Sequence, residues 1–228
     1  MGRNLKTNVS NIEDLFVTDE KVCYDHLFPK AVFNCKRSTK LTKEERQFIS
    51  KIPLSESYGN LISERRDILN LPELKSLSKW MQSKVNKIFK EMYAPAGNIE
   101  LKITQSWLNV TNKNQFHHRH NHVNSFLSGV FYIQTGPDDK IEFHRDGYSQ
   151  VAITQIKAVT MFNTPGYFYP VKENMLIMFP SSMVHEVPKV LHDKQRISLS
   201  FDTFPSGELG ASMDSKGLNI TVNKTKGW

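Results

Sequence analysis

The sequence predicts an α+β fold that is mainly β, with supporting helices on the N-terminal side of a sandwich- or barrel-like β core. Three observations predict it. Apolar residues recur at threes and fours before Glu100 and at twos after it. Many short apolar runs then follow, separated by turn residues. The helical segments precede the strands instead of alternating with them, which argues against a parallel doubly wound sheet.

The chain opens with MGRNLKTNVSNIEDLF, which has no apolar run of the kind a signal peptide needs. Met1-Gly2 starts as a myristoylation site does, but Lys6 stands where Ser or Thr is required. Cys23 and Cys35 are too few for a disulfide framework and are expected to stay reduced, as in a cytoplasmic protein. No stretch reaches the ~18 apolar residues of a membrane span, so no membrane partner is expected. The 228 residues, 39% hydrophobic and 23% charged, suit a single structural domain that buries its core without staples. Its expected parts are a helical region over 1–99, a β core over 100–205 and a C-terminal extension over 206–228. Lys and Arg number 30 against 23 Asp and Glu. That balance favours acidic partners such as nucleic acid or anionic metabolites. No dense basic tract appears, however, and scattered lysines read first as a solvated surface.

Thr42-Lys43-Glu44-Glu45 has the pattern of a capping box, in which the Thr hydroxyl and the Glu carboxylate satisfy free backbone N–H groups. Phe48, Ile49 and Ile52 follow on one helical face. A longer helix is predicted from Pro72 to Tyr93, its stripe made of Leu74, Leu77, Trp80, Met81, Val85, Ile88, Phe89 and Met92. Lys79, Lys84, Lys87 and Lys90 lie between these positions and read as the solvated face of a helix packed on a sheet. Ala94-Pro95-Ala96-Gly97 stops the helix.

Strands are expected from Glu100 to Asn109, then at Phe126–Gln134, Lys140–His144, Val151–Phe162, Met175–Phe179, Arg196–Thr203 and Leu218–Val222. Gly136-Pro137-Asp138-Asp139 and Asn163-Thr164-Pro165-Gly166 read as turns. Gly136–Asp139, Arg145–Gln150 and Thr164–Val171 are expected to be loops that gate access to a substrate. A Gly/Ser-rich stretch follows Pro205.

Four of the eight histidines fall in the run His117-His118-Arg119-His120-Asn121-His122. On a strand His118, His120 and His122 would share one face. Two imidazoles two residues apart can chelate one metal, since imidazole suits iron, zinc, copper and nickel. The pair could be His120 with His122, or His118 with His120. His185 is the best distant third ligand. It follows an apolar run, Met175 to Phe179, and a Pro180-Ser181-Ser182 turn that would aim its ring back into a barrel. His144 and His192 are weaker candidates, each set among charged residues. In Arg196-Ile197-Ser198-Leu199-Ser200-Phe201, Arg196, Ser198 and Ser200 share one face and the apolar residues the other. Pattern alone does not say which face points inward. A guanidinium behind a metal pocket would bind a carboxylate bidentately, with Ser198 adding a hydroxyl.

These residues resemble the 2-oxoglutarate/Fe(II) oxygenase family related to prolyl hydroxylases, of bacterial and phage type. The resemblance rests on His120-Asn121-His122, then Ser128-Gly129-Val130-Phe131-Tyr132, then Phe179-Pro180-Ser181 through His185-Glu186-Val187, then Arg196-Ile197-Ser198. It spans roughly 101–204, and Arg196 lies eleven residues beyond His185. The resemblance implies a double-stranded β-helix, or jelly roll, with Fe(II) held by His120, His122 and His185. It implies 2-oxoglutarate bound through Arg196, Ser198 and Tyr132, and O₂ as the second cosubstrate. The implied reaction oxidises a substrate, most simply by hydroxylation, and releases succinate and CO₂. Substrates of such enzymes include protein side chains, nucleobases and small metabolites. Trp107 and Asn109, by strand parity, would line the pocket.

The chain departs from the superfamily's usual pattern at His122, where most members carry Asp or Glu, although the family it resembles often shows His-x-His here. A neutral imidazole there leaves the site one unit more positive, and Glu142 on the next strand could supply the missing carboxylate. Two other readings compete. A cupin-type metalloenzyme without the keto acid fits the Pro180-to-His185 spacing, but the Glu expected soon after His-x-His is absent and Arg196 has no role. A non-catalytic jelly-roll binding module would use the histidines in a closed structural zinc site.

Overall fold

The computed structural model describes residues 30–95, 97–145, 147, 155–210 and 217–223. Met1-Gly2, Cys23, most of Arg145–Gln150 and residues 151–154 of the expected Val151–Phe162 strand lie outside these. The unit that begins at Val32 contains β1 (Phe33–Lys36), α1 (Lys43–Ile49), β2 (Leu54–Glu56), β3 (Leu61–Ser63) and α2 (Lys75–Tyr93). It continues with β4 (Glu100–Thr111), β5 (His117–His120), β6 (Leu127–Gln134), β7 (Lys140–His144) and β8 (Gly166–Pro170). The last elements are β9 (Met175–Pro180), β10 (His185–Val187), β11 (Arg196–Leu209) and β12 (Leu218–Ile220).

The strands form two antiparallel sheets. The larger runs β1-β9-β6-β11-β4-β3-β2, with β12 joined to β11; the smaller runs β5-β10-β7-β8. Side chains of β6 and β9 show how the two face each other. Val130, Tyr132, Ile177 and Phe179 cluster with Ile141 and Phe143 of the smaller sheet. Phe131, Ile133, Leu176 and Met178 alternate with them and join the core under the helices. Strands buried on both faces read as continuous apolar runs, which is what Val130–Ile133 and Leu176–Phe179 are. Two facing antiparallel sheets of this kind make the expected double-stranded β-helix, with helices on the outer face of the larger sheet.

The same alternation decides the orientation of β11, which pattern alone left open. Leu199 and Phe201 go to the helix-side core, so Arg196, Ser198 and Ser200 line the space between the sheets. Gly129 lies opposite Phe201 in the β6–β11 pairing. A Cβ added there would overlap the Phe201 ring, so glycine is what lets the ring seat against the sheet.

Both predicted helices form. In α1 the Thr42 hydroxyl accepts from the Glu45 N–H at 3.1 Å and the Glu45 carboxylate accepts from the Thr42 N–H at 2.8 Å, so the capping box is complete. Before α2, Pro72 opens a short 3₁₀ turn over Pro72–Leu74. Leu77, Met81 and Val85 of α2 are fully buried, each worth about 1.5–3 kcal/mol relative to exposure. Ala94, left-handed at φ 40°, ends the helix and donates its N–H to the Lys90 carbonyl.

Four expectations need correction. Residues 155–162 form no strand; Asn163 caps a turn there by accepting from the Thr160 N–H, and Val159, Met161 and Phe162 are exposed, with no sheet face to bury them. The Thr164–Val171 loop contains β8, an edge strand on β7. Pro170 is tolerated because an edge needs fewer backbone donors. The 1–99 region is not purely helical, since β1, β2 and β3 join the larger sheet; they are too short to show a period. The boundary at 205 falls inside β11, which continues through Gly207 and pairs with β12.

Candidate metal centre

The centre forms where the two sheets face each other. His185 at the start of β10 pairs directly with His120 at the end of β5. His122, two residues on, is held by its backbone N–H donating to the Ser181 carbonyl at 2.9 Å. One ring nitrogen each from His120, His122 and His185 lie within 4.8 Å of one another. A single ion bound at about 2.0–2.1 Å per nitrogen would be reached by a small inward movement. Among the described residues this group has three members, which leaves coordination positions open.

Each of the three rings is fixed from behind. His120 Nδ1 donates to the His118 carbonyl at 2.7 Å, His185 Nδ1 to the Met183 carbonyl at 2.9 Å and His122 Nδ1 to the Asp202 carboxylate at 2.7 Å. Carbonyl and carboxylate oxygens only accept, so every Nδ1 carries the proton and every Nε2 presents its lone pair. Burial lowers the pKa of His120 and pushes that of His185 down to about 3, the neighbouring His120 adding to the effect. Neutral imidazoles are the form that ligates metal.

Asp202 was not a sequence candidate. Its Oδ1 also accepts from Ser128 at 2.7 Å and Ser125 at 3.2 Å, and both hydroxyls meet Ser181. It lies on the same face of β11 as Arg196, Ser198 and Ser200, so extending that alternation by one step would have found it.

The structure separates the other candidates. His118 is not in the three-histidine group; His117 lines the pocket instead. The pairing explains this. His185 opposes His120 and Val187 opposes His117, three residues of β5 against two of β10. That bulge breaks the two-residue period, and His118 packs on Tyr58. Burial holds the pKa of His117 down to about 2, with His120 the next cause. Glu142 does not reach the centre. Ile141 and Phe143 of β7 point inward, so Glu142 and His144 point to the outer face. His192 lies elsewhere, its Nε2 donating to Asp139 at 3.0 Å.

Trp107 and Asn109 do line the pocket. Trp107 stacks on His122 with ring centres 5.7 Å apart, and Asn109 donates to Ser200 at 2.9 Å. Arg196 lines its back, and Tyr132 packs behind Arg196. Arg196 is 2% exposed and its guanidinium carbon sits 5.2 Å over the Tyr132 ring. Among the described residues no carboxylate pairs with Arg196, and neither its Nε nor the Tyr132 hydroxyl makes a hydrogen bond. Burial pushes the Tyr132 pKa up to about 12 against the lowering effect of Arg196, so the phenol keeps its proton as a donor. The space has three imidazole lone pairs at one end and, at the other, a buried cation with no carboxylate partner among the described residues. It suits a metal ion with an anion that spans the two.

Comparison with known proteins agrees with this geometry. Residues 105–202 match a family model described as "Putative 2OG-Fe(II) oxygenase". No curated protein matches the chain. Solved structures share the fold. HygX from Streptomyces hygroscopicus, solved with nickel and 2-oxoglutarate bound, is 9% identical with a TM-score of 0.55, over 86% of this chain and 93% of that one. A 2OG-Fe(II) oxygenase family oxidoreductase from Burkholderia pseudomallei is 16% identical with a TM-score of 0.50, over 70% and 77%. SnoK, an alpha-ketoglutarate-dependent carbocyclase from nogalamycin biosynthesis, is 12% identical with a TM-score of 0.51, over 76% and 79%. At these identities the likeness is one of fold.

Proposed function

We propose that this protein is a 2-oxoglutarate- and Fe(II)-dependent dioxygenase of the hydroxylase type. In this reading His120, His122 and His185 hold the iron, and Arg196, Ser198 and Tyr132 receive the distal carboxylate of the keto acid. The observation that carries it is Arg196. A fully buried guanidinium without a counter-charge among the described residues is costly to keep, and a carboxylate delivered by a ligand offsets that cost. Cupin-type chemistry and a structural zinc site give Arg196 no such use.

When bound, iron and keto acid supply oxidative decarboxylation by O₂, which yields succinate, CO₂ and an oxidised substrate C–H bond. The chain's own contribution is geometric and electrostatic. The Nδ1 acceptors orient three imidazoles toward one point. Arg196 offers a planar fork matched to a carboxylate, and Tyr132 adds an O–H donor. Trp107 and Ile141 give the cavity apolar walls, which keep water from the reacting atoms. The cavity is about 30 Å³, room for roughly one water, so a five-carbon dicarboxylate enters by moving the lining side chains.

The test is anaerobic. With Fe(II) bound, adding 2-oxoglutarate should produce a weak visible charge-transfer band. Arg196→Lys should keep the iron and lose affinity for 2-oxoglutarate by about tenfold or more, the worth of a hydrogen bond to a charged group. Unchanged cosubstrate affinity in that variant would refute the assignment.

A further inference from the structure

A second cluster of metal-ligating side chains lies on the opposite face of the smaller sheet. Glu142 and Glu186 are directly opposed in the β7–β10 pairing. With His144 they place one ligand atom each within 4.8 Å of one another. Their neighbours in sequence, Ile141, Phe143 and His185, point into the core. The three are therefore an outward-facing set and no part of the centre built on His120 and His185.

Two further observations point to a guest. The His144 side chain is only 10% exposed, yet its Nε2 is buried and makes no hydrogen bond. Glu186 Oε1 is 3.2 Å from that nitrogen but outside hydrogen-bonding geometry. Nitrogen and oxygen are thus close without satisfying each other, as two ligands of a common ion are. The second observation is Gly166 on β8, the strand beside β7. A Cβ at that position would meet the Phe143 carbonyl at 2.8 Å, then Glu142 Oε1 at 3.2 Å and His144 Nδ1 at 3.5 Å. Among the described residues, glycine keeps a side chain of β8 from crowding the cluster.

We propose that Glu142, His144 and Glu186 form a second divalent metal site. Two carboxylates and one imidazole are a donor set for a borderline transition ion such as Zn²⁺, while Ca²⁺ and Mg²⁺ prefer oxygen alone. Arg119 Nε is 3.9 Å from Glu186 Oε2, a distance that leaves that carboxylate free to turn toward an ion. The ion bridges β7 to β10 and so clamps the strand that carries His185. This inference does not depend on the oxygenase reading, because the two sites use different residues on opposite faces.

Zinc stoichiometry tests it, measured by metal analysis after gel filtration with circular dichroism as the check on folding. The intact chain should bind two zinc ions. Glu142→Gln with Glu186→Gln should bind one. His120→Ala with His185→Ala should also bind one, and its melting temperature should rise when zinc is added, because an ion that binds only the native state stabilises it. Combining all four substitutions should leave none. A double glutamine variant that binds as much zinc as the intact chain overturns the proposal, with His144 then only a neighbour of two carboxylates. So does an intact chain whose single ion disappears in the His120/His185 variant. If the double glutamine variant does not fold, Glu142→Gln alone is the second arm. It must lose one equivalent, and full retention overturns the site.

Discussion

The Asp202 carboxylate accepts a hydrogen bond from His122 Nδ1 at 2.7 Å. In the proposed iron site His122 is a neutral ligand, and the Asp202 carboxylate places an anion one hydrogen bond behind it. Partners of this kind fix the tautomer and raise the basicity of the ligand. Asp202→Asn keeps the shape and removes the charge. It should lower Fe(II) affinity about 10–100-fold, read by competition with a chelator. Equal affinity in the two proteins would show that the carboxylate does not act on the metal.

The β5 bulge makes a choice among adjacent histidines. His118→Ala should retain metal at the inner centre, because that ring packs on Tyr58 outside the group. His120→Ala should lose it. Metal analysis of the two variants side by side decides the register, and the reverse pattern would restore the His118/His120 pair.

Gly129→Ala should destabilise the fold. Its added methyl overlaps the Phe201 ring, and the surrounding side chains are fully buried, so relief requires a backbone shift. The expected loss is about 1–3 kcal/mol, measured as a lower urea midpoint. An unchanged midpoint would mean that Phe201 has room to turn aside.

Thr42→Ala removes one half of the α1 capping box. The loss should be about 0.5–2 kcal/mol in equilibrium unfolding, with metal affinity unaltered because α1 is on the helix side of the larger sheet. A change in metal binding with no loss of stability would contradict that separation.

Where the sequence read well, periodicity was long and unambiguous. The stripe from Leu74 to Met92 and the alternation through β4 gave a helix and a strand close to the observed bounds, and the alternation after Arg196 gave the start of β11 but not its end at Leu209. Strands of three or four residues, such as β2, β3 and β10, are too short to carry a period. The β8 edge was hidden because Gly166 and Pro170 signal turns, and they do so legitimately in most contexts. At the centre, His120, His122, His185 and Arg196 were legible from their residue types and order. His117 was not, because a single extra residue in β5 reverses which side chains face inward. Glu142 shows the converse. Its chemistry was right for a ligand, and strand parity with Ile141 sends it to the other face.

β10 is three residues long and hydrogen-bonds to β5 on one side and β7 on the other. Its consecutive residues His185 and Glu186 belong to sites on opposite faces, separated by the thickness of one strand. A strand this short has no length over which to absorb a displacement. An ion that moved Glu186 would therefore act on the same short stretch of backbone that carries His185. By thermodynamic reciprocity, whatever factor the outer ion imposes on the inner ion's affinity, the inner ion imposes on the outer. With both ions bound, β10 would be the element through which each affinity depends on the other.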